Sequence, residues 1–185
     1  MKTEKEKMLE GELYKAGDPQ LTSERHRARG LIKIYNNLPE DQLDERNSLL
    51  KELIPHSGSN LEIQAPFYCD YGSNIVLGDN VFFNFNCVIL DVTKVTIGNR
   101  CLFGPAVQIY TATHPLDHAQ RATALEFGKS VTIGNDVWVG GNVTICPGVT
   151  IGDRTVIGAG SVVTKNIPSN VFAAGNPCKV IRELV

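Results

Sequence analysis

Residues 131–163 read VTIGNDVWVG GNVTICPGVT IGDRTVIGAG SVV, and one spacing runs through them without a slip. Aliphatic residues stand six apart at Ile133, Val139, Ile145, Ile151, Ile157 and Val163. Two positions before each lies a second, smaller series: Val131, Val137, Val143, Val149, Thr155 and Ser161. Gly follows the first series at Gly134, Gly140, Gly152 and Gly158, and Asn135 and Asp153 come next after two of these. Strands repeat every two residues and helices every 3.6, so a sustained period of six belongs to neither alone. It fits a prism whose flat sides are short parallel strands and whose corners are tight bends. Alternate residues point inward and stack on the same position one coil above, about 4.8 Å away. Gly, Asn and Asp suit the corners because they tolerate positive φ, and short Thr155 and Ser161 fit where a corner is narrow. A coil buries its interior only against neighbouring coils.

The same period extends toward the N-terminus. Leu77, Phe83 and Ile89, then Ile97, Phe103 and Ile109, continue the first series, with Ile75, Val81, Cys87, Val95, Cys101 and Val107 as companions. Two interruptions stand out. Ile89 to Ile97 is a step of eight, with two residues inserted around Asp91-Val92-Thr93. Ile109 to Ile133 keeps phase but contains the non-repeating stretch YTATHPLDHAQR, 110–121. A solenoid gains no stability by looping out a segment, so such an excursion points to function more than to a tolerated insertion.

Before residue 60 the character is helical. Leu31, Tyr35 and Leu38 share one face, as do Leu43, Leu50 and Ile54. Pro19 and Pro39 each fit the first turn of a new helix, and Glu40 and Asp41 suit the positive end after Pro39. This segment reads as a cap packed on the prism. The expected organisation is a helical segment over 1–58, a β-helix over 59–170 with its loop at 110–130, and a tail over 171–185.

Composition narrows the function. A net charge of -2 in 185 residues gives no basic footprint for nucleic acid or anionic lipid. No apolar run approaches the roughly 18 residues of a membrane span, and Met1 to Glu10 carries no hydrophobic signal region. Five cysteines without a C-x-x-C pair argue for reduced thiols, and the expected location is the cytoplasm.

Several residues invite a chemical reading. The loop holds two of the four histidines. An imidazole, with an ordinary pKa of about 6.5, suits a general base at neutral pH. His114 is the candidate, whereas His118, His26 and His56 read as exposed residues. Asn84 and Asp91 are polar groups beside apolar strands, where a corner or turn residue is the plain alternative. Trp138 lies between inward Val137 and Val139, so it points outward and needs a partner. Cys87 and Cys101 occupy inward positions, where a small buried residue is a better reading than a nucleophile.

The motif YTATHPLD (110–117) closely resembles the catalytic loop of the maltose O-acetyltransferases, a branch near the galactoside acetyltransferases among the hexapeptide-repeat transferases. AAGNPCKVIR (173–182) and LYKAGD (13–18) are similarly family-like. The resemblance implies a left-handed parallel β-helix with three hexapeptides to a coil. It also implies acetyl transfer from acetyl-CoA to a hydroxyl of a small, maltose- or glucose-like sugar, directly and without an acyl-enzyme, with His114 as base. Asp70, Asn84 and Asp91 would hold the acceptor, although the galactoside branch has its acid one position later, at Val92 here. Trp138, Gly141, Ala159, Thr164, Lys165, Lys179 and Arg182 would hold the cofactor, with the Gly141 N–H facing the thioester oxygen. Relatives form cyclic trimers with sites between subunits, and no metal is implied. The competing readings are a galactoside or drug acetyltransferase on the same fold, a metal enzyme resembling the γ-type carbonic anhydrases, which would need three histidine ligands, and a non-catalytic binding trimer.

Overall fold

The computed structural model describes residues 2–184. From residue 56 the chain winds as a three-faced parallel β-helix. Face I stacks the strands His56–Ser57, Ile75–Leu77, Val95–Ile97, Val131–Ile133 and Thr150–Ile151. Face II stacks Glu62–Ile63, Phe82–Phe83, Leu102–Phe103, Trp138–Val139, Val156–Ile157 and Val171–Ala174, and is finished by the antiparallel strand Lys179–Glu183. Face III stacks Phe67–Cys69, Cys87–Leu90, Gln108–Tyr110, Thr144–Ile145 and Val162–Val163.

The sixfold series are the inward columns. On face II, Ile63, Phe83, Phe103, Val139, Ile157 and Ala173 stack in register. The Phe83 and Phe103 rings lie 4.4 Å apart and nearly parallel. Cys69, Ile89, Ile109, Ile145 and Val163 form the column of face III. All of these are buried, and each large apolar side chain so placed contributes on the order of 1.5–3 kcal/mol.

The edge between faces I and II shows why the repeat needs glycine. A Cβ on Gly98 would meet Asn135 Oδ1 at 2.7 Å, because the next coil passes directly against it. The following residues form a ladder: Asp79 N–H donates to Asn99 Oδ1, Asn99 N–H to Asn135 Oδ1 and Asn135 N–H to Asp153 Oδ1. The polar corner residues therefore replace the backbone pairing that the bend interrupts.

Helices α1 (Glu4–Leu9), α2 (Pro19–Asn37) and α3 (Leu43–Leu53) precede the coils. Pro19 opens α2 behind the Asp18 cap, as its position suggests. Pro39 does not open α3. It holds Leu38 in an extended conformation, as a residue before proline prefers, and Gln42 closes a turn back onto its carbonyl. Helix α3 starts at Leu43, so Asp44 and Glu45, rather than Glu40 and Asp41, stand at its positive end. Leu43 is exposed, and α3 packs through Leu50 and Leu53.

These helices close the first coil with side chains. Asn36 accepts from the Phe67 N–H and donates to the Phe67 carbonyl, the two bonds a further strand would make. Tyr35 donates its hydroxyl to the Ile63 carbonyl, and the buried Arg46 guanidinium donates to Tyr35 Oη at 3.0 Å. Lys51 reaches the Ser57 carbonyl.

Candidate active site

The breaks in the repeat fall on one edge, between faces III and I. The two interruptions visible in the spacing, around 91–93 and at 111–130, lie there in successive coils. A third lies one coil earlier, at 70–74, because Cys69 to Leu77 spans the same eight residues as Ile89 to Ile97. The signal was legible once Phe67 and Cys69 were counted as inward positions. Three coils thus contribute their irregular corners to one wall.

The longest corner folds back on itself. Ala112–Thr113 leads out, α4 (His118–Arg121) turns the tip, and Leu125–Gly128 returns antiparallel to the outgoing strand. Asp117 caps α4 by accepting from the Gln120 N–H. The returning strand also pairs with Tyr14–Lys15 from the segment between α1 and α2, so the N-terminal cap and the loop share one small sheet. His114 stands at the root of the loop with its side chain 54% exposed, while the neighbouring Pro115 is buried.

Glu126, which the sequence reading did not single out, faces His114. Its Oε2 lies 3.7 Å from His114 Nε2 and its Oε1 accepts the Tyr14 hydroxyl at 2.5 Å. The signal was a carboxylate between apolar neighbours, Leu125 and Phe127, on the stretch that re-enters the repeat. Tyr14 is fully buried. Burial, followed by the bond to Glu126, pushes its hydroxyl far above the usual tyrosine range, so it remains a donor.

Asp70 borders the same space. Burial raises its carboxyl, the Arg25 and Arg29 guanidinium groups pull it back down, and the negative charge of Glu126 acts with burial. Arg25 donates to Tyr71 Oη at 2.7 Å and to the Ala16 carbonyl at 2.6 Å, binding α2 to this corner. Asp91 corrects an expectation. Its side chain has no exposure. Oδ1 accepts the N–H groups of Asp70 and Tyr71 at 3.0 and 2.9 Å, and Oδ2 accepts that of Asn74 at 3.3 Å. A carboxylate so engaged cannot touch a sugar; it braces the corner that carries Asp70. Val92 is buried as well.

The remaining candidates lie elsewhere on the prism. Asn84 is on the edge between faces II and III, and its Oδ1 accepts the N–H of Phe85, a residue 44% exposed. Gly141 and Ala159 lie on this edge two and three coils further on. Among the described residues neither of their N–H groups has a backbone acceptor. Trp138 is 56% exposed on face II, between Leu102 and Val156 of the adjoining coils. It shares a shallow cavity of about 240 Å³ with Val156, Phe172, Arg182 and Leu184. Lys179 is exposed at the start of the same final strand. Thr164 and Lys165 are exposed on the III–I edge, beyond the coils that carry His114. Within one chain, then, the candidates form two groups. His114, Asp70, Thr164 and Lys165 line one edge, whereas Asn84, Gly141 and Ala159 line the next, with Trp138 and Arg182 on the adjoining face.

Burial raises the thiols of Cys87 and Cys101, which donate to the carbonyls of Gly104 and Gly134. That environment disfavours a thiolate nucleophile. No three His, Cys, Asp or Glu side chains converge as metal ligands among the described residues. Among the described residues no helix is long and apolar enough to cross a membrane.

Comparison with known proteins bears on all of this. Residues 7–58 match the maltose acetyltransferase hexapeptide capping motif, and residues 130–165 match the bacterial transferase hexapeptide model of six repeats. A maltose O-acetyltransferase from Clostridium difficile superposes with a TM-score of 0.98 at 48% identity, covering 100% of this chain and 98% of its own. A galactoside acetyltransferase solved in complex with coenzyme A superposes with a TM-score of 0.96 at 42% identity, covering 100% and 92%. The galactoside O-acetyltransferase of Escherichia coli is 44% identical over 97% of this chain and 88% of its own length. The fold is accordingly the left-handed parallel β-helix of the hexapeptide-repeat proteins.

Proposed function

This chain belongs to the maltose and galactoside O-acetyltransferase family, and we propose that it moves the acetyl group of acetyl-CoA to a hydroxyl of a maltose- or glucose-like sugar. The observation that carries the reading is the exposed His114 imidazole facing the Glu126 carboxylate across 3.7 Å on the one long excursion from the repeat. In the proposed step His114 takes the acceptor's proton as the hydroxyl oxygen attacks the thioester carbonyl. The new C–O bond forms, the tetrahedral oxyanion collapses, the C–S bond breaks, and the imidazolium returns its proton to the departing thiolate. The negative charge of Glu126 favours the imidazolium as it forms.

Acetyl-CoA fits the second group of residues. The Trp138 indole and Phe172 offer an apolar wall and Arg182 a cation beside it, with Lys179, and Lys165 from the His114 edge of the adjoining copy, as further partners for phosphate oxygens. The N–H groups of Gly141 and Ala159, which have no backbone acceptor among the described residues, suit an oxyanion and the amides of an extended cofactor arm. The two groups lie on successive edges of the prism, so a complete site needs a second copy. A cyclic trimer, in which His114 of one protomer meets Asn84 and the Gly141 edge of its neighbour, supplies one site per interface.

The decisive assay is acetyl-CoA-dependent release of free CoA over a panel of sugars, with wild type and His114→Ala side by side. Turnover that requires a glucosyl acceptor and falls at least about a hundredfold in the variant is the expected result. Full turnover by H114A would remove the base. Turnover with galactosides or drug hydroxyls alone would replace the acceptor and leave the rest intact.

A further inference from the structure

The small sheet that joins the N-terminal segment to the loop has a consequence for catalysis. Tyr14 and Glu126 are directly opposite in the antiparallel pair, so their side chains emerge on the same side. The Tyr14 ring is fully buried with Met8, Leu21, Tyr71 and Val92 in a cluster separate from the main core. Its hydroxyl has one side-chain partner, Glu126 Oε1. The Glu126 side chain is 18% exposed, and its other oxygen faces His114. A glutamate has three side-chain torsions and would ordinarily sample several orientations. Here the backbone pairing fixes its Cα and the phenol fixes one of its two oxygens, which leaves the second aimed at the imidazole. The charged groups nearby include Asp70, which shares this space, Arg25, which is committed to Tyr71 and the Ala16 carbonyl, and Arg29, which acts on Asp70. No cation neutralises Glu126 through a salt bridge among the described residues apart from the contact with His114.

We propose that Tyr14 is a positioning residue for acetyl transfer: its hydroxyl holds the Glu126 carboxylate against His114. The inference rests on the reading of His114 as base. It gives the N-terminal segment a part in the chemistry that a mere cap would not have, because a hydrogen bond to a carboxylate orients a charge as well as fastening two elements together.

The test is a double-mutant cycle of Tyr14→Phe and Glu126→Gln, with kcat and both KM values measured for each variant. Y14F keeps the ring and its packing and removes only the donor. The expected result is a kcat lowered about tenfold in Y14F with KM for acetyl-CoA unchanged, a loss at least as large in E126Q, and a double variant no slower than E126Q. A Y14F with wild-type kcat overturns the proposal. So does an equal further loss when Y14F is added to E126Q, since Tyr14 would then act through packing. Were Y14F not to fold, E126Q with wild-type kcat would overturn it by itself. His114→Ala with full turnover removes the base reading, whereas an inactive H114A beside an unaffected Y14F removes this inference alone.

Discussion

The Asp91 carboxylate lies beneath the backbone of Asp70, one coil away, and Oδ1 takes the Asp70 N–H at 3.0 Å. The brace and the residue it carries belong to consecutive breaks on the same edge. Burial pushes Asp91 up to about 7, against the pull of the N–H groups of Tyr71 and Asn74. In the unfolded chain the group returns to the ordinary carboxylate range. The folded protein therefore binds the extra proton between that range and neutrality, and this contribution to stability is lost as pH rises through about 7. Between pH 5 and 8 the wild type should lose about 1–3 kcal/mol relative to Asp91→Asn, roughly 3–9 °C in Tm. Thermal melts of both proteins across that range check it; parallel curves would refute the assignment.

The proposed sharing of the site between copies makes a sharp expectation. His114→Ala and Asn84→Ala should each be nearly inactive alone. Co-refolded in equal amounts as random trimers, they should regain about a quarter of wild-type activity, because a site that draws its two halves from different chains escapes both lesions one time in four. No recovery in verified mixed trimers would place both residues of a site in one chain.

Trp138→Ala removes the exposed indole from the cavity it shares with Arg182. KM for acetyl-CoA should rise about tenfold with a much smaller change in KM for the sugar, since an aromatic wall that stacks on a ligand is worth about 1–3 kcal/mol. Steady-state kinetics with each substrate varied in turn decides this; a change confined to the sugar KM would move Trp138 to the acceptor side.

Phe83→Ala empties one place in the ring stack of face II. The Phe103 ring at 4.4 Å loses its stacking partner, and the cost should be about 3–5 kcal/mol. Denaturant unfolding with an unchanged m-value is the measurement, and a cost below about 1 kcal/mol would mean that the column relaxes.

How much of this lay open in the sequence depended on whether a residue's place followed from periodicity. Val131 to Val163 declared the prism because every inward position obeys one spacing, and Trp138 followed as the outward residue between two inward ones. The place of His114 on an excursion was legible because the stretch around it breaks that spacing. Asp91 was legible as unusual, but its role was not. Whether a carboxylate at a break faces solvent or the preceding corner depends on the backbone of residues 70–74, which no local pattern encodes. Glu126 and Tyr14 were hidden for the same reason: their contact joins residues more than a hundred positions apart. Pro39 misled because a proline that can start a helix can equally end the segment before one.

The side chains of Asn36, Tyr35, Arg46 and Lys51 complete the hydrogen bonds of the first coil where a further strand would otherwise lie. Parallel coils with regular spacing are a template that another molecule of the same kind could extend indefinitely. By imitating a next strand with groups that cannot propagate it, the helices bring the stack to a halt. A chain deprived of them would expose a growing end and should be prone to assemble lengthwise into fibres, so the N-terminal segment also guards solubility.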